Sequence, residues 1–167
     1  MGEYTFVDHL TIHGAVDDVH QCLWSVEAWP ELLPHVAFIH MLHEEPHHQR
    51  FRMGTKHEGG VNETESVRHS SRSDRIDYEQ VVPPPLLASH RGCWRLKQRG
   101  DNVLVTAEHT IAINPERILP TLGREYTEQE AQLLARHFVG NHSMRTLGTI
   151  KSVVENTADA SQAREHS

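Results

Sequence analysis

Along this chain apolar residues fall first at every second position, then at helical spacing. They then alternate again through a long middle stretch and return to helical spacing near the end. Tyr4 to His13 reads as a strand with Tyr4, Phe6, Leu10 and Ile12 on one face and Asp8 interrupting that face. Gly14 punctuates, and Ala15 to Trp24 reads as a helix with the stripe Val16, Val19, Leu23 and Val26. Trp29-Pro30 ends it, because the residue before a proline is pushed out of the α region. Glu31 to Leu33 has room for one further turn before Pro34.

Six strand-like runs follow: Val36 to His43, Gln49 to Lys56, Val61 to His69, Arg75 to Val82, Leu87 to Gln98 and Val103 to Ile113. Gly59-Gly60, Pro83-Pro84-Pro85 and Arg99-Gly100-Asp101-Asn102 separate them. Thr127-x-x-Glu130 is a capping box, and a long helix is expected from there to about Asn156, with Leu134, Phe138, Met144, Leu147, Ile150 and Val154 among its apolar positions. The polar tail 157–167 is expected to be disordered. The order predicts one α+β domain over residues 1–156. Seven antiparallel strands curl around the C-terminal helix, with two short helices after the first strand. One helix cannot fill the concavity of such a sheet, so an internal cavity is expected.

Composition narrows the function. The chain has 167 residues and a formal charge of −7, which argues against nucleic acid as partner. No apolar run reaches the roughly 18 residues of a membrane span, and the N-terminus carries no secretory signal, so a cytoplasmic location is expected. The 15 histidines bring much titratable charge near pH 6. His40-x-x-His43 points to opposite faces of a strand, so no specific metal site is expected. Cys22 and Cys93 read as buried thiols, and no motif calls for a cofactor.

The chemistry-bearing residues emerge from strand alternation. On Val61 to His69, Asn62, Thr64, Ser66 and Arg68 share one face and Glu63 and Glu65 the other. Two adjacent glutamates are costly to bury, so the Ser66/Arg68 face is expected to point inward. An inward arginine either pairs with a buried carboxylate such as Asp8 or aims its planar fork at ligand oxygens. His109 continues the apolar face of Val103, Val105, Ala107, Ile111 and Ile113, as a core residue or as a general acid or base. His90, Gly92, Trp94 and Leu96 share a face, with Gly92 leaving room and Trp94 a wall; Tyr78 and Gln80 join from the neighbouring strand. Asn141, placed on the stripe with Phe138 and Met144, is a cavity-lining amide or a helix-to-sheet hydrogen bond.

In order and spacing, several segments resemble the bacterial polyketide aromatase/cyclases of the helix-grip (START/Bet v 1-like) superfamily. They are Val26-Glu27-Ala28-Trp29-Pro30-Glu31-Leu32-Leu33, Ser66-x-Arg68, Arg75, Tyr78-x-Gln80, Gly92-Cys93-Trp94-Arg95, His109-x-Ile111 and Leu147-Gly148-Thr149-Ile150-Lys151. The resemblance covers about residues 4 to 156. It implies a helix-grip fold and a cavity for a poly-β-ketone borne by an acyl carrier protein, in which the chain undergoes regiospecific aldol cyclisation and dehydration. It also implies roles: Arg68 polarises a ketone, Ser66 bonds the intermediate and His109 moves protons. Trp29, His35, Asn62, Thr64, Tyr78, Gln80, His90, Trp94, Asn141 and Met144 would bind substrate. Where some members carry aromatic residues before the Ser-x-Arg pair, this chain has Asn62 and Thr64, implying a wider or more polar pocket. The longer 119–127 region is a candidate lid, and Arg91, Arg95, Lys97 and Arg99 are a candidate basic patch for the carrier. The competing readings are a non-catalytic carrier of a hydrophobic or aromatic molecule, and an accessory domain of a larger synthase. The protein is expected to be a monomer or homodimer.

Overall fold

The computed structural model describes the backbone of residues 2–165 and the side chains of residues 2–159. Strand β1 (Tyr4–His13) leads into α1 (Val16–Trp24) and α2 (Trp29–Leu32). Then come β2 (Val36–Glu45), β3 (His48–His57), β4 (Gly60–Arg72), β5 (Arg75–Val82), β6 (Leu87–Arg99) and β7 (Asn102–Ile113). After α3 (Ile118–Leu122), α4 (Glu128–Glu165) closes the chain. The strands form one antiparallel sheet in the order β1-β7-β6-β5-β4-β3-β2. β1 thus returns beside β7, while β2 forms the other edge.

The capping box starts α4 as expected: Thr127 N–H donates to Glu130 Oε1 at 3.0 Å, and Glu130 N–H donates to Thr127 Oγ1 at 3.1 Å. The helix ends later than the sequence predicts. Its backbone stays helical from Asn156 to Glu165, across most of the tail expected to be disordered, and residues 166–167 lie outside the described residues. No proline or glycine interrupts that stretch, so nothing local stops the helix at Asn156.

Two apolar clusters flank the middle of the molecule. One joins Ile12, Val19, Leu23, Val26, Leu96, Val103 and Val105 to Leu147, Ile150 and Val154 in the C-terminal half of α4. The other joins Phe6, Leu86, Leu87, Ile111, Ile113 and Ile118 to Ala131 and Ala135 near its start. Between them α4 shows small and polar residues to the sheet, and the interior stays open. Among the described residues no helix is long and apolar enough to cross a membrane.

Candidate active site

The space between sheet, α3 and the N-terminal half of α4 is a cavity of about 600 Å³. That is room for a drug-sized molecule. Its floor comes from inward positions of β3 to β7, its roof from α4 and one side from α3, where Pro120, Thr121 and Leu122 line it. Among its lining residues, Lys56, His57, Arg117 and Phe138 are exposed and mark the mouth.

Arg68 lies at the deep end, 3% exposed. Its position follows from the end of α1, whose last carbonyls have no partner within the helix. Arg68 Nη2 donates to Leu23 O at 2.6 Å, and Gln49 Nε2 donates to Trp24 O at 2.8 Å. Arg68 Nη1 also donates to Gln49 Oε1 at 3.3 Å. A cation at a helix C-terminus is favoured by the helix dipole. The rings of Trp24, Trp29, Phe51 and Trp94 surround the guanidinium, with centroids 5.3 to 5.8 Å from Cζ. Burial lowers Arg68 to about 9, while Tyr78 acts in the opposite direction. Among the described residues Arg68 makes no carboxylate pair: Asp8 sits on β1 and faces Arg136, at 3.6 Å. The structural pairing with Asp8 considered from the sequence is therefore not formed, and Arg68 Nε is buried without a partner. On the opposite face of β4, Glu65 is covered by Arg50 and Arg52 rather than facing open solvent.

A second polar cluster crosses β5, β6 and β7. Tyr78, Gly92 and His109 lie in one row of the sheet, because Tyr78 pairs with Gly92 and Gly92 with His109. A Cβ at position 92 would stand 2.6 Å from Tyr78 Oη and 2.1 Å from Glu108 O, so only glycine lets the tyrosine lie across β6. Tyr78 Oη then reaches His109 Nδ1 at 2.5 Å and His90 Nε2 at 3.2 Å; the two histidine nitrogens are 3.1 Å apart. His90 Nδ1 donates to Gln80 Oε1 at 2.6 Å, and Phe6 stacks on His109 at 4.9 Å. With His90 Nε2 then an acceptor, Tyr78 donates to it and His109 Nδ1–H donates to Tyr78. Burial holds both histidines neutral at pH 7. His90 falls to about 3, pressed further by His109, and His109 to about 4, with Asp8 opposing that fall. Burial raises the Tyr78 hydroxyl far above its usual range.

Trp29, His35, Asn62, Thr64, Ser66, Tyr78, Gln80, His90, Trp94, Arg68 and His109, singled out from the sequence, all line this cavity. Asn141 and Met144 do not. Asn141 is exposed and bonds His137 at 3.1 Å, and Met144 packs on the apolar core instead. The line of α4 that faces inward runs through Ala135, Ser143, Thr146 and Ile150. Asn141 is two residues, about 200° of helical rotation, from Ser143. Hydrophobicity misleads here because the part of α4 over the cavity has small and polar residues inward, while Phe138, 48% exposed, reaches only the mouth. The sequence reading also misses His142, Ser143 and Thr146, which line the roof, and Phe51, Met53 and Thr55 on β3. Strict alternation along β3 is the signal for the last three. His35 Nε2 lies 3.4 Å from Thr146 Oγ1 and its ring is 5.4 Å from that of His142. Burial, then His142 and Arg145, lower His35 to about 4.

Among the described residues, five buried side-chain polar atoms lack a partner, and four belong to cavity-lining residues: Arg68 Nε, Trp94 Nε1, His109 Nε2 and Ser143 Oγ. Buried polar groups are normally satisfied, so this set suits an oxygen-rich ligand. Aromatic walls with few polar groups at fixed points have the chemistry to hold an extended, polyoxygenated molecule.

No family model matches the chain. It is 32% identical over 146 residues to the granaticin polyketide synthase bifunctional cyclase/dehydratase of Streptomyces violaceoruber, covering 86% of this chain and 45% of that protein. The crystal structure of the di-domain ARO/CYC StfQ from the steffimycin biosynthetic pathway superimposes with a TM-score of 0.88 at 34% identity, over 95% of this chain and 52% of StfQ. The Zhui aromatase/cyclase from Streptomyces sp. R1128 shares the fold, with a TM-score of 0.81 at 19% identity over 93% of this chain and 96% of Zhui. The chain thus spans about half the length of the curated relatives it matches.

Proposed function

This chain belongs to the polyketide aromatase/cyclases of the helix-grip superfamily, and on that premise we propose that it folds a poly-β-ketone in its cavity and promotes aldol cyclisation and dehydration to an aromatic ring. The observation that carries this reading is the placement of Arg68 and Ser66 in the same cavity as the Tyr78–His90–His109 cluster. In an aldol step a carbon α to one ketone loses a proton, and that ketone's oxygen gains charge as an enolate. The carbon then attacks a second carbonyl, whose oxygen takes a proton. Arg68 holds the charged oxygen through N–H groups that no protein anion occupies. Ser66 bonds the second oxygen. His109, neutral at working pH, takes the carbon-bound proton, and Tyr78 and His90 carry the compensating shift. In dehydration the same groups remove a second carbon-bound proton and protonate the departing hydroxyl. Trp29 and Trp94, whose rings pack against each other with centroids 6.2 Å apart, form one wall along which the chain bends.

The substrate arrives on an acyl carrier protein in this reading. The basic residues first considered on β6 are partly neutralised, because Arg91 is paired with Glu3 and Arg95 with Glu108. Lys56 and Arg117 at the mouth are better placed to meet an acidic carrier and its phosphate-bearing arm. Residues 1–156 act as one such domain. The experiment is a reconstituted polyketide synthase supplied with this protein or with its Arg68→Ala variant. The wild type should divert the poly-β-ketone from spontaneous shunt products into one cyclised aromatic product, and the variant should not. Equal shunt-product yields from both would overturn the catalytic role.

A further inference from the structure

Two of the five unpartnered buried atoms, Asp8 Oδ2 on β1 and His109 Nε2 on β7, belong to residues on neighbouring strands. Phe6 pairs with His109 and Asp8 with Ala107, so Asp8 is the diagonal neighbour of His109. Diagonal neighbours on one face have Cβ atoms about 7 Å apart, within reach of one bridging water. Asp8 shares the inward face with Phe6, which stacks on the His109 ring. An aspartate among Tyr4, Phe6, Leu10 and Ile12 has no role in packing that face. Its other oxygen, Oδ1, faces Arg136 of α4 at 3.6 Å, and the Arg136 guanidinium lies 4.6 Å above the Phe6 ring. Gly140, one turn along α4, makes room: a Cβ there would stand 3.3 Å from Asp8 Oδ2.

We propose that Asp8 is the charge partner of His109, receiving the imidazolium that forms when His109 takes up a proton, with Arg136 holding the carboxylate in position. Nε2 is the ring nitrogen left open, since Nδ1 is committed to Tyr78 and His90. A proton arriving there makes a donor on the strand next to Asp8, whose Oδ2 is buried without a partner. Asp8 is therefore a positioning residue, acting through His109. The groups that face His109 are Tyr78 on β5, His90 on β6, Asp8 on β1 and Arg136 on α4, with Glu108 beside it on β7. Asp8 and Glu108 favour the charged ring, while burial, the largest effect, and Arg136 oppose it.

This inference deepens the proposed function and rests on it only for the identity of the reaction. The test is NMR titration of the His109 ring in the full chain, with no substrate present. Asp8→Asn should lower the proton affinity of His109 about tenfold. Asp8→Glu, which keeps the charge, should restore most of it, and Arg136→Gln should raise it. A His109 titration unmoved in Asp8→Asn, or shifts of the same sign in Asp8→Asn and Arg136→Gln, would overturn the proposal. If Asp8→Asn fails to fold, an Asp8→Glu protein whose His109 titrates as low as expected without a charge would overturn it equally. In the synthase assay the acid limb of the pH–rate profile should move with the NMR value. If the wild-type protein leaves shunt products unchanged, the cyclase reading falls while the titration still decides the role of Asp8.

Discussion

Tyr78 Oη meets His109 Nδ1 at 2.5 Å by crossing a whole strand, above a position where β6 carries no side chain. Tyr78 and His109 are not adjacent in the sheet; they are two strands apart, and Gly92 is the residue between them. Gly92→Ala should therefore displace the tyrosine and cost about 1–3 kcal/mol of stability as an overpacked site. Tyr78→Phe keeps the ring and removes only the hydroxyl. Urea unfolding of both variants, with product analysis, checks this: both should lose cyclised product, and only Gly92→Ala should disturb the Trp94 wall against which the tyrosine packs.

The buried histidines predict an acid limit. His35, His90 and His109 take up protons only near pH 4, 3 and 4 in the folded protein, against about 6.5 in the unfolded chain. Between those values the unfolded state binds more protons, so stability rises with pH and falls as the solution is acidified. The slope is up to about 1.4 kcal/mol per pH unit for each such histidine. Thermal unfolding followed from pH 7 to pH 4.5 should show a steadily falling midpoint, and His90→Gln should flatten that fall. A midpoint that is flat across the range would mean that these rings are charged in the folded state.

Arg68→Lys tests the fork at the end of α1. One ammonium cannot reproduce the paired donation to Leu23 O and Gln49 Oε1 while leaving Nε–H free. Stability should fall by about 1–3 kcal/mol, as for a buried acceptor left short of its partner. Product should fall at least tenfold, because a point charge held by the Leu23 carbonyl does not present a second donor to the ketone. Wild-type product yield from this variant would show that charge alone is sufficient.

The roof of the cavity can be tested from α4. Ser143→Leu projects a branched side chain into the space beside the unpartnered Ser143 Oγ and should weaken binding of an aromatic polyketide mimic about tenfold or more. Asn141→Leu, on the exposed face, should leave binding unchanged. Titration by intrinsic tryptophan fluorescence, with Trp29 and Trp94 in the wall, reads both.

The sheet was legible from alternation because each strand has one apolar or chemically distinctive face. The inward positions of Ser66 and Arg68 followed from the cost of burying Glu63 and Glu65. Glu65 reached the same outward face by a different route, under Arg50 and Arg52, which no period-two pattern reveals. The roof was misread for a physical reason. A helix above a cavity need not bury large apolar residues there, so Phe138 and Met144 pulled the expected stripe away from Ser143 and Thr146. The partner of Arg68 was not readable either. The shortest Arg68 bond is to a main-chain carbonyl, Leu23 O, brought close only when α1 packs against the sheet.

That last contact joins two demands in one side chain. The group proposed to grip the ketone also finishes the first helix, so a replacement that alters reactivity also loosens the end of α1. Variation in ring-closing pattern among relatives should then accumulate in the roof and at the mouth, where residues can change without unravelling a helix end, while this corner of the sheet stays the same.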